Sequence, residues 1–550
     1  MRITNKIMQR NSLSNINSNK ELQDMLTTQM STQKKINRAS DDPVIAIRAL
    51  RLRSNVTEVT QYYSKNIPDA DSWLQVTEDA LKNTSTIVTK MIEQATRGSN
   101  GDLTSDDRKI IIEQLKALGD EVYKTGDASY AGRYVFTGYR TDTSLSFQEP
   151  SKNVTYQLTE QLDRTAIDTF TYVDSSKING WTASNFDDAS ISDANESHIQ
   201  TSQCYRLRLA YSDVDQKPDG SSGVLDSLGS ITYTDNVGVT HTINTPSISY
   251  TDDATGNEVT VGVTKSGLST DPTMYQVGDN EINLITDTGE LIIGKDLYAK
   301  LMSTKDDPTT AGVSEGEIKV NYSKTNFTAD DLRPEHYYAC RATEWNTDAA
   351  GNNVLPVYKE IMYNEDYLKG IVDKQSIEYD VGFNQTIRVN STADESYNLG
   401  IGREVDDLVA ALQKVQNLED IKTGIEKKIS QTTNDADLEI LNNQLVAATK
   451  ALDYEKNVCQ KRFEKGITSF QKYLDDTSLA ITNVGTRSSK LELIKGRMQN
   501  QKTTFETLKS ENEDIDITEV AIQLSSSEMT YQAALTATGK IIQNTLLNYI

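Results

Sequence analysis

The stretch "NRASDDPVIAIRALRLRSNV", residues 37–56, predicts a helix with a well-formed start. Asp42 is suited to accept hydrogen bonds from the first backbone N–H groups, and Pro43 is suited to the first helical position. At about 100° per residue, one side of the helix is apolar through Ile45, Ala49, Leu52, Val56, Val59 and Tyr63. Ile47 and Leu50 point nearly the opposite way. The sequence therefore predicts a helix that is apolar on two sides.

The charge of the chain is strongly acidic overall but differs between its ends. The 550 residues carry a formal net charge of −24, which argues against a general nucleic-acid-binding protein. Residues 1–56 hold ten basic against four acidic residues, whereas residues 501–550 hold three basic against seven acidic residues. The two ends are therefore complementary in charge.

The sequence contains no apolar run of the ~18 residues that a transmembrane helix needs, and its start does not resemble a secretory signal. Only three cysteines occur, at 204, 340 and 459, so no disulfide framework is predicted. Either a cytosolic enzyme or a protein exported by a route that needs no cleavable signal fits these facts.

Composition predicts an α+β fold with helical ends around a β-rich middle. Long periodic segments with few prolines fill the first 140 residues and the region after Gly402, whereas residues 150–398 contain alternating strand-like segments and turn sequences. Within the middle, "TADDLRPEHYYACRATEW" (328–345) is predicted as a short helix. The predicted segments are an amino-terminal coiled-coil arm (1–40), a helical rod in two parts (41–149 and 399–510), one or two β-rich outer domains (150–398) and a carboxyl-terminal coiled-coil arm (511–550).

The carboxyl-terminal helix repeats the two-sided pattern of the opening stretch. One narrow stripe holds Leu524, Tyr531, Leu535, Ile542, Leu546 and Tyr549, and the other side holds Ile522, Met529, Ala533 and Leu547. The amino-terminal seam, which includes Leu22 and Leu26, is thinner and more polar, and would scarcely hold alone.

Two interpretations of the two-sided helices stand side by side. Each helix is either surrounded by its own chain in a core, or uses its second face to contact a neighbouring subunit. Their positions at or near the chain ends favour the second interpretation, as do the small residues Ala533, Ala534 and Ala537. Contact between different patches of successive subunits generates rings or helical filaments.

Four motifs, in the same order and at the expected ends, resemble the flagellin superfamily. They are "INRASDDPVIAIRALRLRS" (36–54), "GRYVFTGYRTDT" (132–143), "AITNVGTRSSKLELIKGRM" (480–498) and "MTYQAALTATGKIIQNTLLNYI" (529–550). The resemblance covers about 1–145 and 400–550. It implies that the two chain ends pair as a coiled coil in an axial tube, that further helices form the next layer and that the middle faces outwards. It also implies export without a cleaved signal, and chain ends that become ordered on assembly.

Within the superfamily, "SDDPV" and "GRYVFTG" are more similar to the flagellin-like hook-associated members than to filament flagellins, which typically have a DDAAG-like sequence at the first motif. This resemblance implies an extracellular, structural role between hook and filament. The implied partners are other copies of the chain, an adjacent hook-associated protein, flagellin and an export chaperone. Filament flagellin is the alternative. A surface-binding, adhesin-like role of the β-rich middle is a further one.

Catalytic and cofactor chemistry has little support in the sequence. The three histidines, His198, His241 and His336, are too far apart for a zinc-protease motif. His336 and Cys340 stand at i, i+4 and offer half a metal site, but an ordinary histidine and a buried cysteine are favoured. The acid-rich loops at 212–223 and 250–258 do not fit a calcium-binding loop. No enzyme activity, cofactor or metal is predicted.

The predicted functional residues therefore form assembly interfaces. Arg48 and Arg51 are either a solvated edge or partners of acidic residues in the same or an adjacent subunit, and Arg487 is the comparable residue on the carboxyl-terminal side. The full predicted set is Asp41, Asp42, Pro43, Ile47, Arg48, Leu50, Arg51, Arg487, Leu524, Tyr531, Leu535, Ile542, Leu546 and Tyr549.

Overall fold

In sequence order, long helices at both chain ends flank a β-rich middle, which confirms the predicted α+β fold class. The computed structural model describes residues 5–100, 103–215, 231–234, 240–243, 246–252, 255–303, 318–347, 353–369 and 375–543. The helices are α1 (Asn5–Thr32), α2 (Pro43–Gln61), α3 (Ile67–Gly98), α4 (Ser105–Lys124), α5 (Ser176–Asn179), α6 (Lys295–Ser303), α7 (Gly400–Gln431), α8 (Asp435–Glu513) and α9 (Ile517–Gln543).

The strands begin directly after the first four helices and end before α7. They are β1 (Ser129–Tyr130), β2 (Arg133–Tyr134), β3 (Val154–Leu162), β4 (Ile167–Asp174), β5 (Gln200–Arg208), β6 (Ile231–Thr234), β7 (Thr240–Ile243), β8 (Ser247–Thr251), β9 (Glu258–Gly262), β10 (Lys265–Gly267), β11 (Ile282–Ile285), β12 (Glu290–Ile293), β13 (Ile318–Lys324), β14 (Ala339–Thr347), β15 (Asn353–Tyr363), β16 (Glu378–Gly382) and β17 (Gln385–Arg388).

Two larger sheets occur in the described middle. One has the strand order β10-β11-β12-β5-β4, and the other has the order β15-β14-β3-β13-β8-β9. Most neighbouring strands in both sheets are antiparallel, whereas β10 and β11 run parallel. The pairs β1-β2, β6-β7 and β16-β17 are separate two-stranded ribbons.

The chain divides into two compact units. The first contains residues 1–71, 378–387 and 488–550, and the second contains residues 72–377 and 388–487. The unit boundary falls within α3 and within α8. The boundaries of the five segments predicted from composition stay predictions.

In the first unit, α2 passes into α3 through a π-helical turn at Tyr62–Asn66. π-turns inside helices are rare and often mark functional positions. The turn lies beside the ribbon β16-β17, where Phe383 meets Tyr62 and Phe505 edge-on at ring-centroid distances of 5.7 Å and 6.5 Å. Asn66 Nδ2 also donates a hydrogen bond of 2.8 Å to the carbonyl of Asp380.

In the second unit, apolar stripes of α3, α4, α7 and α8 contribute to a hydrophobic core cluster, which includes Leu115, Leu408 and Phe463. Thr104 starts α4 with a capping box, since its hydroxyl accepts from Asp107 N while the Asp107 carboxylate accepts from Thr104 N. Gly98 ends α3 directly over the Phe463 ring, where a Cβ atom would collide with the ring. Both helix ends are therefore set by residues suited to those positions.

A buried ionic cluster joins the five-stranded sheet to α7 and α8 within the second unit. Arg206 and Arg208 are two residues apart in β5, so their side chains project from the same face of the sheet. The carboxylate of Asp407 on α7 accepts from Arg206 Nη2 at 2.9 Å and from Arg208 Nη1 at 2.7 Å. Arg462 on α8 adds a third contact to Asp407 at 3.0 Å.

The electrostatics of this cluster favour the ionised form of Asp407. Burial alone would raise the pKa of the Asp407 carboxyl, but the positive charges of the three arginines outweigh that effect and hold the pKa well below its usual range. Asp168 accepts from Arg206 Nη2 at 3.0 Å, and Glu404 accepts from Arg208 Nη2 at 2.8 Å. The charges therefore compensate one another in a site with little solvent.

The helix predicted at 328–345 is wrong. The segment forms a 3₁₀ turn at Pro334–His336 and then the central strand β14. β14 pairs with β3 on one side and with β15 on the other, and Trp345 Nε1 donates to Thr155 Oγ1 at 2.7 Å. Long-range pairing on both edges therefore overrides the helical pattern of the local sequence.

Hydropathy along the described helices gives no segment that is both long and apolar enough for a transmembrane span.

Candidate assembly surfaces

The start of α2 has the geometry that its sequence predicts. The Asp42 carboxylate accepts from the backbone N–H groups of Val44 at 2.9 Å and Ile45 at 3.1 Å, and Pro43 occupies the first helical position. The neighbouring Asp41 carboxylate instead accepts from the backbone N–H groups of Arg38 at 2.8 Å and Asn37 at 3.1 Å. These hydrogen bonds to backbone lower the pKa of Asp41. Asp41 therefore fixes the turn before α2, and Asp42 caps the helix.

The two sides of α2 differ sharply in exposure within the first unit. Ala46, Ala49 and Val59 are buried. Ile47 and Leu50, on the other side, are 54% and 64% exposed, and Val44 beside them is exposed as well. A row of large apolar side chains on one folded helix is the surface expected of a contact with another molecule.

The three predicted arginines lie in different surroundings. Arg48 and Arg51 are exposed on α2, with no ion-pair partner among the residues that the structure describes. Arg487 in the second unit is only partly exposed, and its Nη1 donates to the carbonyl of Asn390 at 2.8 Å. Burial lowers the pKa of Arg487. Arg487 thus anchors its own chain, and its role in assembly stays a prediction.

The helices at the two chain ends, α1 and α9, pack against each other in the first unit. The buried or partly buried positions of α9 recur every three or four residues, as in a coiled-coil seam, and are Val520, Leu524, Ser527, Tyr531, Ala534 and Thr538. The matching positions of α1 are Gln9, Ser12, Ile16, Asn19, Gln23 and Leu26. Half or more of this seam is polar or small, so its own packing is thin.

Of the stripe predicted on α9, Leu524 and Tyr531 are partly buried in the seam and Leu535 is exposed, and their role in assembly stays a prediction. Leu535 is 47% exposed on the flank of the seam, because Ala534 and Thr538 occupy the inward positions instead. Ile542 lies in the last turn of α9, whereas Leu546 and Tyr549 lie outside the described residues.

Many large apolar side chains of the α1–α9 pair face solvent. On α1 and α9 these are Ile7, Met8, Leu13, Leu22, Met25, Met30, Ile517, Ile522, Met529 and Leu535. Leu22, which the sequence places in the α1 seam, is thus exposed. Large apolar side chains of the pair are therefore left exposed while polar residues occupy part of its seam.

Ion pairs connect the basic and acidic ends of the chain at the base of this pair. Arg53 makes a two-point contact with Glu513, with Nε at 2.6 Å and Nη2 at 2.8 Å from the carboxylate oxygens. Lys34 contacts Asp514, and Lys35 N donates to the carbonyl of Glu513 at 2.8 Å. The hydrogen bonds from Arg53 lower the pKa of Glu513.

Sequence reasoning did not single out Arg53 or Glu513, although the opposite charges of the two ends indicated such pairs. The buried cluster around Asp407 was missed as well. Its signals were charged residues at inward positions, namely the arginines of "YRLRLA" (205–210) and the acidic pair of "REVDDLVAAL" (403–412).

The residues considered for metal chemistry have structural surroundings. The His336 ring Nε2 lies 3.0 Å from the carbonyl of Ser144, and burial lowers its pKa. Cys340 is buried in β14, where burial raises its pKa. His241 lies in β7 and His198 in a 3₁₀ turn. Within the described ranges, no group of three or more His, Cys, Asp or Glu side chains has the arrangement to hold a metal ion.

The acid-rich loops differ in what the structure describes of them. At the second loop, Gly256 N donates to the carbonyl of Asp252 at 2.7 Å, and Gly256 adopts a positive φ of 67° that closes the turn between β8 and β9. Most of the loop at 212–223 lies outside the described residues.

Comparison with known proteins identifies the class of the amino-terminal part. Residues 3–141 match the family model of the bacterial flagellin N-terminal helical region, which spans α1 to α4 and the ribbon β1-β2. The resemblance to the flagellin superfamily is thereby confirmed for the amino-terminal part, since residues 3–141 are similar to the flagellin helical region.

Individual relatives match over similar lengths. The chain is 28% identical over 145 residues to flagellar hook-associated protein 3 of Salmonella typhimurium, covering 26% of this chain and 45% of that protein. It is 31% identical over 127 residues to flagellar hook-associated protein 3 of Escherichia coli, covering 23% and 40% of the two chains. The match thus spans less than half the length of these relatives.

A solved structure, the flagellar junction protein FlgL from Legionella pneumophila, aligns over 82% of this chain and 99% of that one. The sequence identity is 11% and the TM-score is 0.24. This score is too low to establish a shared arrangement.

Proposed function

We propose that the chain is a structural, non-enzymatic component of the bacterial flagellum at the hook-filament junction, where it assembles on the hook and seats the flagellin filament. The observation that carries the proposal is the flagellin-type region at 3–141, whose first helix pairs with the carboxyl-terminal helix α9. The relatives named flagellar hook-associated protein 3 support the junction position.

The exposed apolar faces of the first unit supply the driving force for such assembly. The surface comprises Ile47 and Leu50 on α2 together with the outward residues of the α1–α9 pair. Burying a large aliphatic side chain in a contact stabilises it by about 1.5–3 kcal/mol. The seam inside the α1–α9 pair is thin and partly polar, and apolar side chains are exposed outside it. We therefore expect contacts with neighbouring subunits to complete the ordering of the pair.

The proposal implies partners on two sides. Copies of the chain contact one another through different patches, an adjacent hook-associated protein lies on the hook side and flagellin lies on the filament side. It also implies an extracellular location, export without a cleaved signal and an export chaperone that covers apolar surface before assembly.

Immunogold labelling of flagella tests the position. A label confined to the boundary between hook and filament is expected for a junction protein. A label along the whole filament would overturn the junction role in favour of filament flagellin.

A variant tests the apolar face of α2 directly. The double change Ile47→Asp and Leu50→Asp adds charge to an exposed face, so we expect the purified chain to keep its circular-dichroism spectrum and melting temperature. In cells that make this variant, we expect complete hooks without filaments by electron microscopy.

The matched control for added charge is Asn83→Asp, at an exposed position of α3 in the second unit. Filaments are expected with this control. Normal filament growth on hooks carrying the α2 variant would contradict the assignment of this face to assembly.

A further inference from the structure

A cleft of about 200 Å³ lies in the second unit between the strand β4 and the helix α8. Residues 168–171 of β4 form one wall, with Gln203 of β5 beside them. Lys461, Arg462 and Lys465 of α8 form the other wall. β4 is the edge strand of its sheet, so the cleft follows an open sheet edge.

The cleft is basic on a chain that is acidic overall. Its lining holds three cationic side chains against one carboxylate, that of Asp168, whereas the whole chain carries a net charge of −24. Clefts lined by one sign of charge concentrate ligands of the opposite sign. The local excess of positive charge therefore favours an anion.

The three cationic side chains keep atoms that form no ion pair or hydrogen bond with the described residues of the chain. Lys461 is exposed and has no ion-pair partner among the described residues. Lys465 pairs with Asp168 but keeps 47% of its side chain exposed. Arg462 Nη1 lies 3.0 Å from Asp407 and 3.6 Å from Asp168, and the described part of the chain provides no hydrogen-bond acceptor for its Nε and Nη2.

Neutral hydrogen-bonding groups also line the cleft. Thr169 and Thr171 alternate along β4 and are both exposed, and Gln203 is the cross-strand partner of Thr171. Hydroxyl and amide groups next to cationic side chains provide both donors and acceptors for a polar ligand. The volume fits a molecule smaller than the drug-sized ligands of typical pockets.

We propose that this cleft binds a small oxyanion, either a carboxylate-bearing monosaccharide or a phosphate, with Lys461, Arg462 and Lys465 as the groups that contact the anion. Arg462 is oriented by Asp407, and Lys465 is held at the cleft by Asp168.

Isothermal titration calorimetry on the full chain at low salt tests the site with three probes: inorganic phosphate, glucuronate and glucose. We expect phosphate and glucuronate to bind and the neutral glucose not to bind. Tighter binding of glucuronate than of phosphate identifies a sugar acid as the favoured source of the anion, and the reverse order identifies a simple phosphate.

Two lysine variants on α8 locate the binding. Lys461→Gln removes a cation of the cleft that takes part in no internal ion pair, and we expect it to weaken anion binding about fivefold. Lys472→Gln removes an exposed lysine of the same helix that does not line the cleft, and we expect no change.

Absence of heat with both anions would overturn the proposal. So would binding that is unaffected by Lys461→Gln, or that is weakened equally by the two lysine variants. A circular-dichroism spectrum identical to that of the parent chain is the required check for both variants.

Discussion

Arg53 and Glu513 form the contact at which opposite charges of the two chain ends meet most directly. Arg53 keeps 55% of its side chain exposed, whereas the Glu513 side chain is only 4% exposed. Glu513 therefore depends on its partner more than Arg53 does, because a buried carboxylate without a nearby cation is poorly solvated.

Replacing Arg53 by Ala is expected to lower the free energy of unfolding of the first unit by about 1 kcal/mol at neutral pH. Urea unfolding followed by circular dichroism measures the change. Arg51→Ala, at an exposed position of the same helix, is the control and is expected to have little effect.

The effect of Arg53→Ala has a defined pH dependence. Because Arg53 lowers the pKa of Glu513, the ion pair stabilises the fold above the usual value of 4.5 and is lost as the pH falls through the lowered pKa. The difference between parent and variant should therefore shrink in acid. A difference that stays constant from pH 7 to pH 3 would exclude the ion pair as its cause.

Glu160 gives the opposite pH dependence in the second unit. It is buried in β3, where burial raises its pKa to about 7 against the stabilising hydrogen bonds from Tyr322 Oη and from Ala210 N at 2.9 Å. A carboxyl with a raised folded pKa stabilises the fold below its unfolded pKa, and this contribution is lost as the pH rises through 7.

We therefore expect the unfolding free energy of the parent chain to fall by up to about 3 kcal/mol between pH 5 and pH 8. In Glu160→Gln, which has no carboxyl group at this position, we expect this fall to be absent. Urea unfolding at the two pH values measures this. Glu258→Gln, at an exposed position in the same sheet, should leave the parent pH dependence intact. Parallel behaviour of the parent and Glu160→Gln would disprove the titration of Glu160.

At the scale of elements, α2, α4 and α9 show which features of the helices could be predicted from the sequence. Helix ends followed from local rules, since Asp42, Pro43 and Thr104 act through backbone groups within one turn. The inward face of α9 could not be predicted in this way, because Ser527 and Thr538 occupy seam positions and a search for apolar residues does not find them.

Strand pairing also limited what could be predicted from the sequence. The segment 328–345 has a helix-like beginning, but β14 is fixed by partners more than 150 residues away in β3. Such partners are invisible in a local window, so the sequence predicted the β-rich middle while misassigning one of its central strands.

The seam also contains a buried hydroxyl that should cost stability. Ser527 is buried on α9, and its Oγ has no hydrogen-bond partner among the described residues. Ser527→Ala is expected to stabilise the α1–α9 pair by about 1 kcal/mol, because it removes an unsatisfied polar group. Hydrogen exchange of α9 amides measures the gain.

The matched control is Ser526→Ala, at an exposed position on the same helix. It shares the gain in helix propensity but not the relief of the buried hydroxyl. Equal protection in the two variants would rule out a cost of the Ser527 hydroxyl in the seam.

At the scale of the whole molecule, the cluster around Asp407 makes the β-rich middle and the helices of the second unit interdependent. Arg206 and Arg208 belong to the predicted outer region 150–398, whereas Asp407 and Arg462 belong to α7 and α8. Removing residues 150–398 would leave Asp407 without two of its three arginines. Such a deletion is therefore a poor test of the role of the middle.

Asp407→Asn tests this interdependence with a single atom change. The change deprives Arg206, Arg208 and Arg462 of the one carboxylate that all three contact, so we expect unfolding to become easier by about 3 kcal/mol or more. Thermal unfolding by calorimetry measures the shift.

Asp453→Asn, at an exposed position of α8, is the control and should leave the transition in place. If Asp407→Asn melted together with this control, the cluster would not hold the sheet and the helices together.

The outward methionines of the α1–α9 pair have a consequence for redox chemistry. Met8, Met25 and Met529 each expose 40% or more of their surface. Thioethers at such positions are open to oxidants, and oxidation converts an apolar, flexible side chain into a polar sulfoxide. Peroxide would thus change the very faces on which neighbours are proposed to dock.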